Sequence, residues 1–311
     1  MQELDPKSII GSAAPLQQRR YAFVCGLHRS GTSLITRTLA EHPMVSGFRA
    51  TGAIEDEGQF LQSVLPLENQ FGGVGRFGFD PRAHMTEESA LNTAATAKKL
   101  NAEWARYWDM SKPVLIEKTP SNLLRMRLIH RLFEPSYFII VTRHPVASAL
   151  ATIKWTEGNL FSLLYHWIHC YRIARADAEL VDRVLWLSYE AFVANPGREL
   201  ARLSQFLGLT PFPAWNPEVR NENAKYFADW HARYFGDPDR AIEQKPPERQ
   251  RSLPTRLRER LAREERERTM PAYRRRANLR SFYDALDAVA LLEPAVAEFG
   301  YSFLDLAPPA G

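Results

Sequence analysis

Cysteine is nearly absent from this chain: Cys25 and Cys170 are the only two in 311 residues, one in an apolar run and one in a helical pattern. A disulfide framework therefore does not hold the fold together, and both thiols read as reduced core residues. No uncharged apolar stretch approaches the ~20 residues that a membrane-spanning helix needs. The N-terminal MQELDPKSIIGSAAPLQQRR begins with acids and lacks an apolar segment of signal-peptide length. A soluble, cytoplasmic protein is the expectation. No solenoid-period repeat is visible, and no His/Cys grouping has metal-ligand spacing, so no metal is expected. Strong charge bias is missing too. Forty Lys and Arg against 36 Asp and Glu leave a net charge of +4, with a pI near 9.1, which suits an anionic small ligand but is too slight to indicate nucleic acid.

One further absence is informative. Tyr21 to Cys25 is a short apolar run that reads as a buried strand, and from Ser33 onward Leu34, Ile35, Thr38 and Leu39 recur at helical spacing. The intervening turn, Gly26-Leu27-His28-Arg29-Ser30-Gly31-Thr32-Ser33, fits the phosphate-binding pattern G-x-x-x-x-G-K-[ST] except that Thr32 stands where the lysine belongs. In that pattern backbone N–H groups at a helix N-terminus close around a phosphate, and the lysine reaches the outer phosphates of a triphosphate. Here the cradle remains without its lysine, and positive charge enters at Arg29, among the hydroxyls of Ser30, Thr32 and Ser33. Such a loop suits a single 5′ phosphate-bearing group better than a triphosphate with magnesium.

The rest of the chain alternates strands and helices. Val114 to Ile116, Tyr137 to Thr142 and Val184 to Leu187 read as strands. Helices are predicted over Thr86 to Trp108, Asn122 to Phe133, from Pro145, over Leu160 to Val181, from Pro196 to Leu207, and over Ala285 to Phe299. Gly47 to Gly58 reads as an acidic loop, Gln59 to Leu67 as a short amphipathic turn, and Phe71 to Phe79 (FGGVGRFGF) as a mobile lid or substrate loop. Glu248 to Arg280 is dense in arginine, with glutamates at helical ion-pair spacing, and reads as a solvated helix. The pattern predicts an α/β chain of P-loop type, a three-layer fold with a central parallel sheet and helices on both faces. Ligands are expected at the carboxyl ends of the strands. A single domain is expected over residues 1–311, with 1–19 a flexible N-terminal segment and 248–311 a helical C-terminal part.

The loop, read as [PH]-R-S-G-T-[ST] after a strand, resembles the 5′-phosphosulfate loop of sulfotransferases that use 3′-phosphoadenosine 5′-phosphosulfate (PAPS), in the style of bacterial and tyrosylprotein-type members. Thr142-Arg143-His144-Pro145-Val146-Ala147-Ser148 resembles the 3′-phosphate element of the same family, in which an arginine and a following serine grip that phosphate. Ser188-Tyr189-Glu190, Asn195-Pro196 and Phe206-Leu207-Gly208-Leu209 resemble its later segments, so the likeness spans roughly Ala22 to Leu209. It implies a transferase that moves a sulfuryl group from PAPS to a hydroxyl, or less readily an amine, of a carbohydrate, lipid, small-molecule or protein-tyrosine acceptor, releasing 3′,5′-ADP without a metal. Donor-binding residues are then Leu27, His28, Arg29, Ser30, Gly31, Thr32, Ser33, Arg143 and Ser148. Lys118, at the end of the second predicted strand, resembles the family's catalytic lysine, and Arg29 would assist it.

A base is also required. The histidine that cytosolic members place soon after that lysine is replaced here by Pro120 and Ser121. Tyrosylprotein and heparan types use a glutamate downstream of the first helix instead, which offers Glu57 first, then Glu55 and Asp56, with His28 and His144 as outside candidates. The arginines that would complete the 3′-phosphate site, among Arg249, Arg251 and Arg274 to Arg276, stay open. The sequence names neither the acceptor, whether small molecule, glycan or peptide, nor the oligomeric state. Rival readings are a P-loop small-molecule kinase or NTPase and a non-catalytic nucleotide-binding module.

Overall fold

Five apolar segments assemble into one parallel sheet: β1 Arg20–Cys25, β2 Val45–Gly47, β3 Val114–Lys118, β4 Ser136–Thr142 and β5 Val184–Ser188, in the order β2-β3-β1-β4-β5. The computed structural model describes residues 19–156, 158–212, 219–234 and 282–307. Successive strand residues point to opposite faces, and both faces are covered, which is why the strands read as unbroken apolar runs. On one face Ala22, Val24, Val114, Ile116, Ile139 and Val141 pack against Ile35 and Leu39 of α1 (Thr32–Ala40) and Leu200, Leu203 and Leu207 of α6 (Pro196–Leu207). On the other, Phe23, Leu115, Phe138 and Ile140 meet Trp104 of α2 (Ala94–Trp104), Leu128 and Ile129 of α3 (Met126–Leu132), and Trp167 and Tyr171 of α5 (Leu160–Ala178). The expected three-layer α/β architecture is therefore present.

The order of the strands positions the site. From β1 the chain passes through α1 on one face to reach β2, and from β3 it returns through α3 on the other face to reach β4. This reversal opens a crevice above the carboxyl end of β1. Register brings the strand ends level, with Val24 beside Lys118, Cys25 beside Ile140, and Thr142 beside Ser188.

Several sequence expectations need correction. β2 carries no sequence expectation, and the loop expected from Gly47 begins on its last residue; at three residues the strand is too short for a periodic signal, and among the described residues it pairs with β3 alone. The helix expected from Thr86 begins at Ala94, because Thr93 is the residue whose hydroxyl accepts from the Thr96 N–H; residues 86–92 form turns. The helix expected from Asn122 opens instead as a 3₁₀ segment, Pro120–Leu124, before α3. α5 ends at Ala178, three residues short of Val181. Near the C-terminus, residues 282–297 are helical. The readings placed on residues 1–18, on Glu248 to Arg280 with its arginines, and on residues 308–311 lie outside the described residues.

Candidate active site

The loop after β1 folds as its glycines require. Gly26 (φ +154°) lies so close to β4 that a Cβ would stand 2.5 Å from the Val141 carbonyl, and at Gly31 (φ +105°) it would stand 2.9 Å from the Tyr189 ring. Arg29 is also left-handed (φ +65°), so the loop curls its backbone N–H groups around the N-terminus of α1. Tyr171 pins the loop to β4, its hydroxyl accepting from the Leu27 N–H at 3.3 Å and donating to the Val141 carbonyl at 2.6 Å. The Arg29 side chain is exposed, whereas its carbonyl accepts from Arg143 Nη1 at 2.9 Å. Ser30 and Thr32 are buried; the Ser33 hydroxyl donates to Glu55 Oε2 at 3.2 Å.

Lys118 ends β3, buried, and donates to Glu57 Oε1 at 3.0 Å; the other Glu57 oxygen accepts from Gln59 Nε2 at 2.7 Å. Glu57 is thus the one member of the acidic run 55–57 that turns inward. Glu55 is exposed and paired with Arg37, and Asp56 accepts from the backbone of Ala50 and Thr51, its carboxyl held below the usual range chiefly by the Thr51 hydroxyl. Gln59 continues the chain of contacts, since its Oε1 accepts from the Glu68 N–H at 3.2 Å, and Glu68 Oε1 lies 3.0 Å from His28 Nε2. Among the described residues, His28, Glu57 and Glu68 form a grouping that could share a cation, with one ligand atom from each within 4.8 Å of the others. The Lys118 ammonium already supplies positive charge there.

At the end of β4, Arg143 stacks over Tyr189, 4.3 Å from the ring centroid, and donates from Nε to Asn223 Oδ1 at 2.7 Å. Asn223 is held in turn by Glu190, which also accepts from the His144 N–H. Arg143 Nη2 and Ser148 Oγ, in the second turn of α4 (Pro145–Thr152), are buried and have no hydrogen-bond partner among the described residues. Buried donors left without a protein partner are the kind of group that an anionic ligand satisfies. His144, an outside candidate for the base, is not available: its Nδ1 accepts from the Val146 N–H, its Nε2 meets the Ser302 carbonyl, and burial pushes it down to about 4.

Beside the loop, a small cavity is lined by Leu27, His28, Gly75, Ser148, Leu163 and Trp167, among others. The glycine-rich run expected to be a lid is packed instead. Phe71 and Phe77 are buried, and Gly78 sits against α5, donating to His166 Nε2 at 3.0 Å and accepting from His169 at 3.0 Å. A Cβ on Gly78 would stand 2.2 Å from Cys170 Sγ, so glycine here permits close packing rather than motion. The sequence reading missed Gln59, Glu68, Glu117 and Asn223. Only Tyr189 and Glu190 carried a local signal, as the S-Y-E that follows β5.

A family model described as "Sulfotransferase family" matches residues 22–214, more than half of the chain. A relative from Mycobacterium bovis, an omega-hydroxy-beta-dihydromenaquinone-9 sulfotransferase, is 29% identical over 144 residues, which is 41% of this chain and 36% of the relative. The chain thus spans about a third of the length of the curated relatives it matches. Among solved structures, the sulfotransferase domain of the Synechococcus PCC 7002 olefin synthase is 22% identical, covering 67% of this chain and 82% of that one at a TM-score of 0.39. A sulfotransferase from Alicyclobacillus acidocaldarius is 16% identical, covering 71% and 92% at a TM-score of 0.41.

Proposed function

Because the chain belongs to the sulfotransferase family, we propose that it transfers a sulfuryl group from PAPS to a hydroxyl and releases 3′,5′-ADP. The observation that carries the donor assignment is the pair of buried, unpartnered donors Arg143 Nη2 and Ser148 Oγ, next to a phosphate loop that lacks its lysine. Leaving such groups unmet costs about 1–3 kcal/mol each. A 3′ phosphate would satisfy both, while the backbone N–H groups of 27–33, with Ser30, Thr32 and Ser33, would receive the 5′ phosphosulfate.

PAPS supplies a sulfuryl group already activated by its phosphoanhydride-like link, so the protein has to place the acceptor, remove its proton and stabilise the departing charge. Glu57 accepts the proton from the attacking hydroxyl. As its carboxylate is neutralised, the Lys118 ammonium loses its ion-pair partner and turns to the oxygen that leaves with the nucleotide. Arg29, on the same loop, adds positive potential over the sulfuryl oxygens. For the acceptor we favour a hydroxyl on an apolar skeleton, because the mycobacterial relative is named for an omega-hydroxylated menaquinone. Calorimetric titration with 3′,5′-ADP, 5′-ADP and ATP tests the donor. Tightest binding of 3′,5′-ADP, unaltered by EDTA, is expected; tightest binding of magnesium-ATP would favour a kinase.

A further inference from the structure

Glu117 has no part in the chemistry above, yet it is a fully buried carboxylate one residue from Lys118. It lies in the same layer as the apolar Leu115, Leu123 and Trp104. An acid is costly there, and burial pushes its carboxyl up to about 7. Its hydrogen bonds show what it holds. Oε1 accepts from Thr119 Oγ1 at 2.5 Å and Oε2 accepts from Asn122 Nδ2 at 2.6 Å, and the Gly58 backbone packs directly against the carboxylate. Thr119 Oγ1 accepts from the Gln59 N–H at 3.0 Å, and Trp104 Nε1 donates to the Gly58 carbonyl at 3.0 Å.

These contacts tie the two residues that follow Glu57 to the two that flank Lys118. Adjacent strand residues point to opposite faces, so Glu117 reaches the 58–59 turn from one side while Lys118 meets Glu57 from the other. Gly58 fits the clasp closely, for a Cβ there would stand 2.3 Å from Glu117 Oε1. We propose that Glu117 is a positioning residue, which through Gly58 and Thr119 fixes Glu57 at the distance from Lys118 that sulfuryl transfer uses. The inference rests on the reading of Glu57 and Lys118 given above.

The test perturbs the clasp at three points in the full-length chain: Glu117→Gln and Glu117→Leu, Thr119→Val, and Gly58→Ala, with Glu57→Gln alongside. The readouts are single-turnover consumption of radiolabelled PAPS, with dodecan-1-ol or water alone as acceptor, and the dissociation constant for 3′,5′-ADP. Displacing a reacting group by about 1 Å can cost on the order of 100-fold in rate. Thr119→Val, Gly58→Ala and Glu117→Leu are therefore expected to slow turnover by about 10- to 100-fold, with 3′,5′-ADP affinity held within about threefold. Glu117→Gln, which keeps its shape beside Gly58 and an acceptor for Thr119, is expected to recover most of the rate. The near-isosteric Thr119→Val keeps the test decisive if Glu117→Leu does not fold. Wild-type turnover in Thr119→Val and Gly58→Ala, or equal losses of turnover and nucleotide affinity, would overturn the inference while Glu57→Gln stays impaired. Full activity in Glu57→Gln, or no turnover in the wild type, would overturn the reading it rests on and the inference with it.

Discussion

Lys118 Nζ stands 3.0 Å from Glu57 Oε1, and both side chains are buried at the mouth of the crevice. Breaking a buried ion pair from one side leaves an uncompensated charge, at a typical cost of about 3–5 kcal/mol, whereas replacing both partners is far milder. Lys118→Met and Glu57→Gln are each expected to lower the urea midpoint, and the double variant to regain most of the loss. Turnover should behave differently. Each single variant is expected to lose about 10²- to 10⁴-fold in kcat, and the double variant to remain as inactive as the worse of the two.

Arg143 is positioned by Asn223, the Arg29 carbonyl and the Tyr189 ring, with Nη2 left over. Removing a charge-assisted contact to a desolvated phosphate costs roughly 2–5 kcal/mol. Arg143→Ala is accordingly expected to abolish the preference for 3′,5′-ADP over 5′-ADP in thermal-shift titrations. An unchanged difference between the two nucleotides would remove Arg143 from the 3′-phosphate site.

The strands β1, β3 and β4 were legible because residues buried on both faces write themselves as apolar runs, β5 because its half-buried residues are apolar too, and the polar residues at or just after the strand ends marked the crevice. β2 was not, since three residues carry no period. Lys118 was legible as a strand end, but its pairing with Glu57 was not, because 61 positions separate them. The same holds for Asn223, 80 positions from Arg143. The run Phe71 to Phe79 misled for a different reason: glycine suggests looseness in sequence, while here the missing side chains of Gly75 and Gly78 make room for Leu163 and Cys170 of α5.

Gly78→Ala tests that last point. The added methyl meets Cys170 Sγ and His166 within the core, so overpacking of about 1–3 kcal/mol is expected. The melting temperature should fall while 3′,5′-ADP affinity is retained. A stable variant with raised acceptor KM would restore the run to the role of a substrate lid.

Stability should respond to pH in two opposing ways. Burial holds His144 down to about 4 and His166 to about 3, from an ordinary 6.5, so their contribution is complete above 6.5 and is lost as pH falls toward 4. Glu117 is raised from 4.5 to about 7, so its contribution is complete below 4.5 and is lost as pH rises through 7. At about 1.4 kcal/mol per pH unit, Glu117→Gln is expected to gain on the order of 3 kcal/mol relative to wild type between pH 4.5 and 8. His166→Gln is expected to flatten the acid limb. Denaturant unfolding across this range measures both; parallel curves for wild type and variants would contradict the assignment.

The most direct measurement of the central claim is transfer of label from [35S]PAPS to a panel of hydroxyl acceptors, an omega-hydroxylated prenyl quinol, a primary alcohol, a sugar and a tyrosine peptide, with EDTA present throughout. The expected result is a labelled product on the apolar alcohols, formed in step with 3′,5′-ADP and lost in both Glu57→Gln and Lys118→Met. Absence of labelled product from every acceptor, with magnesium-dependent consumption of ATP in its place, would contradict it.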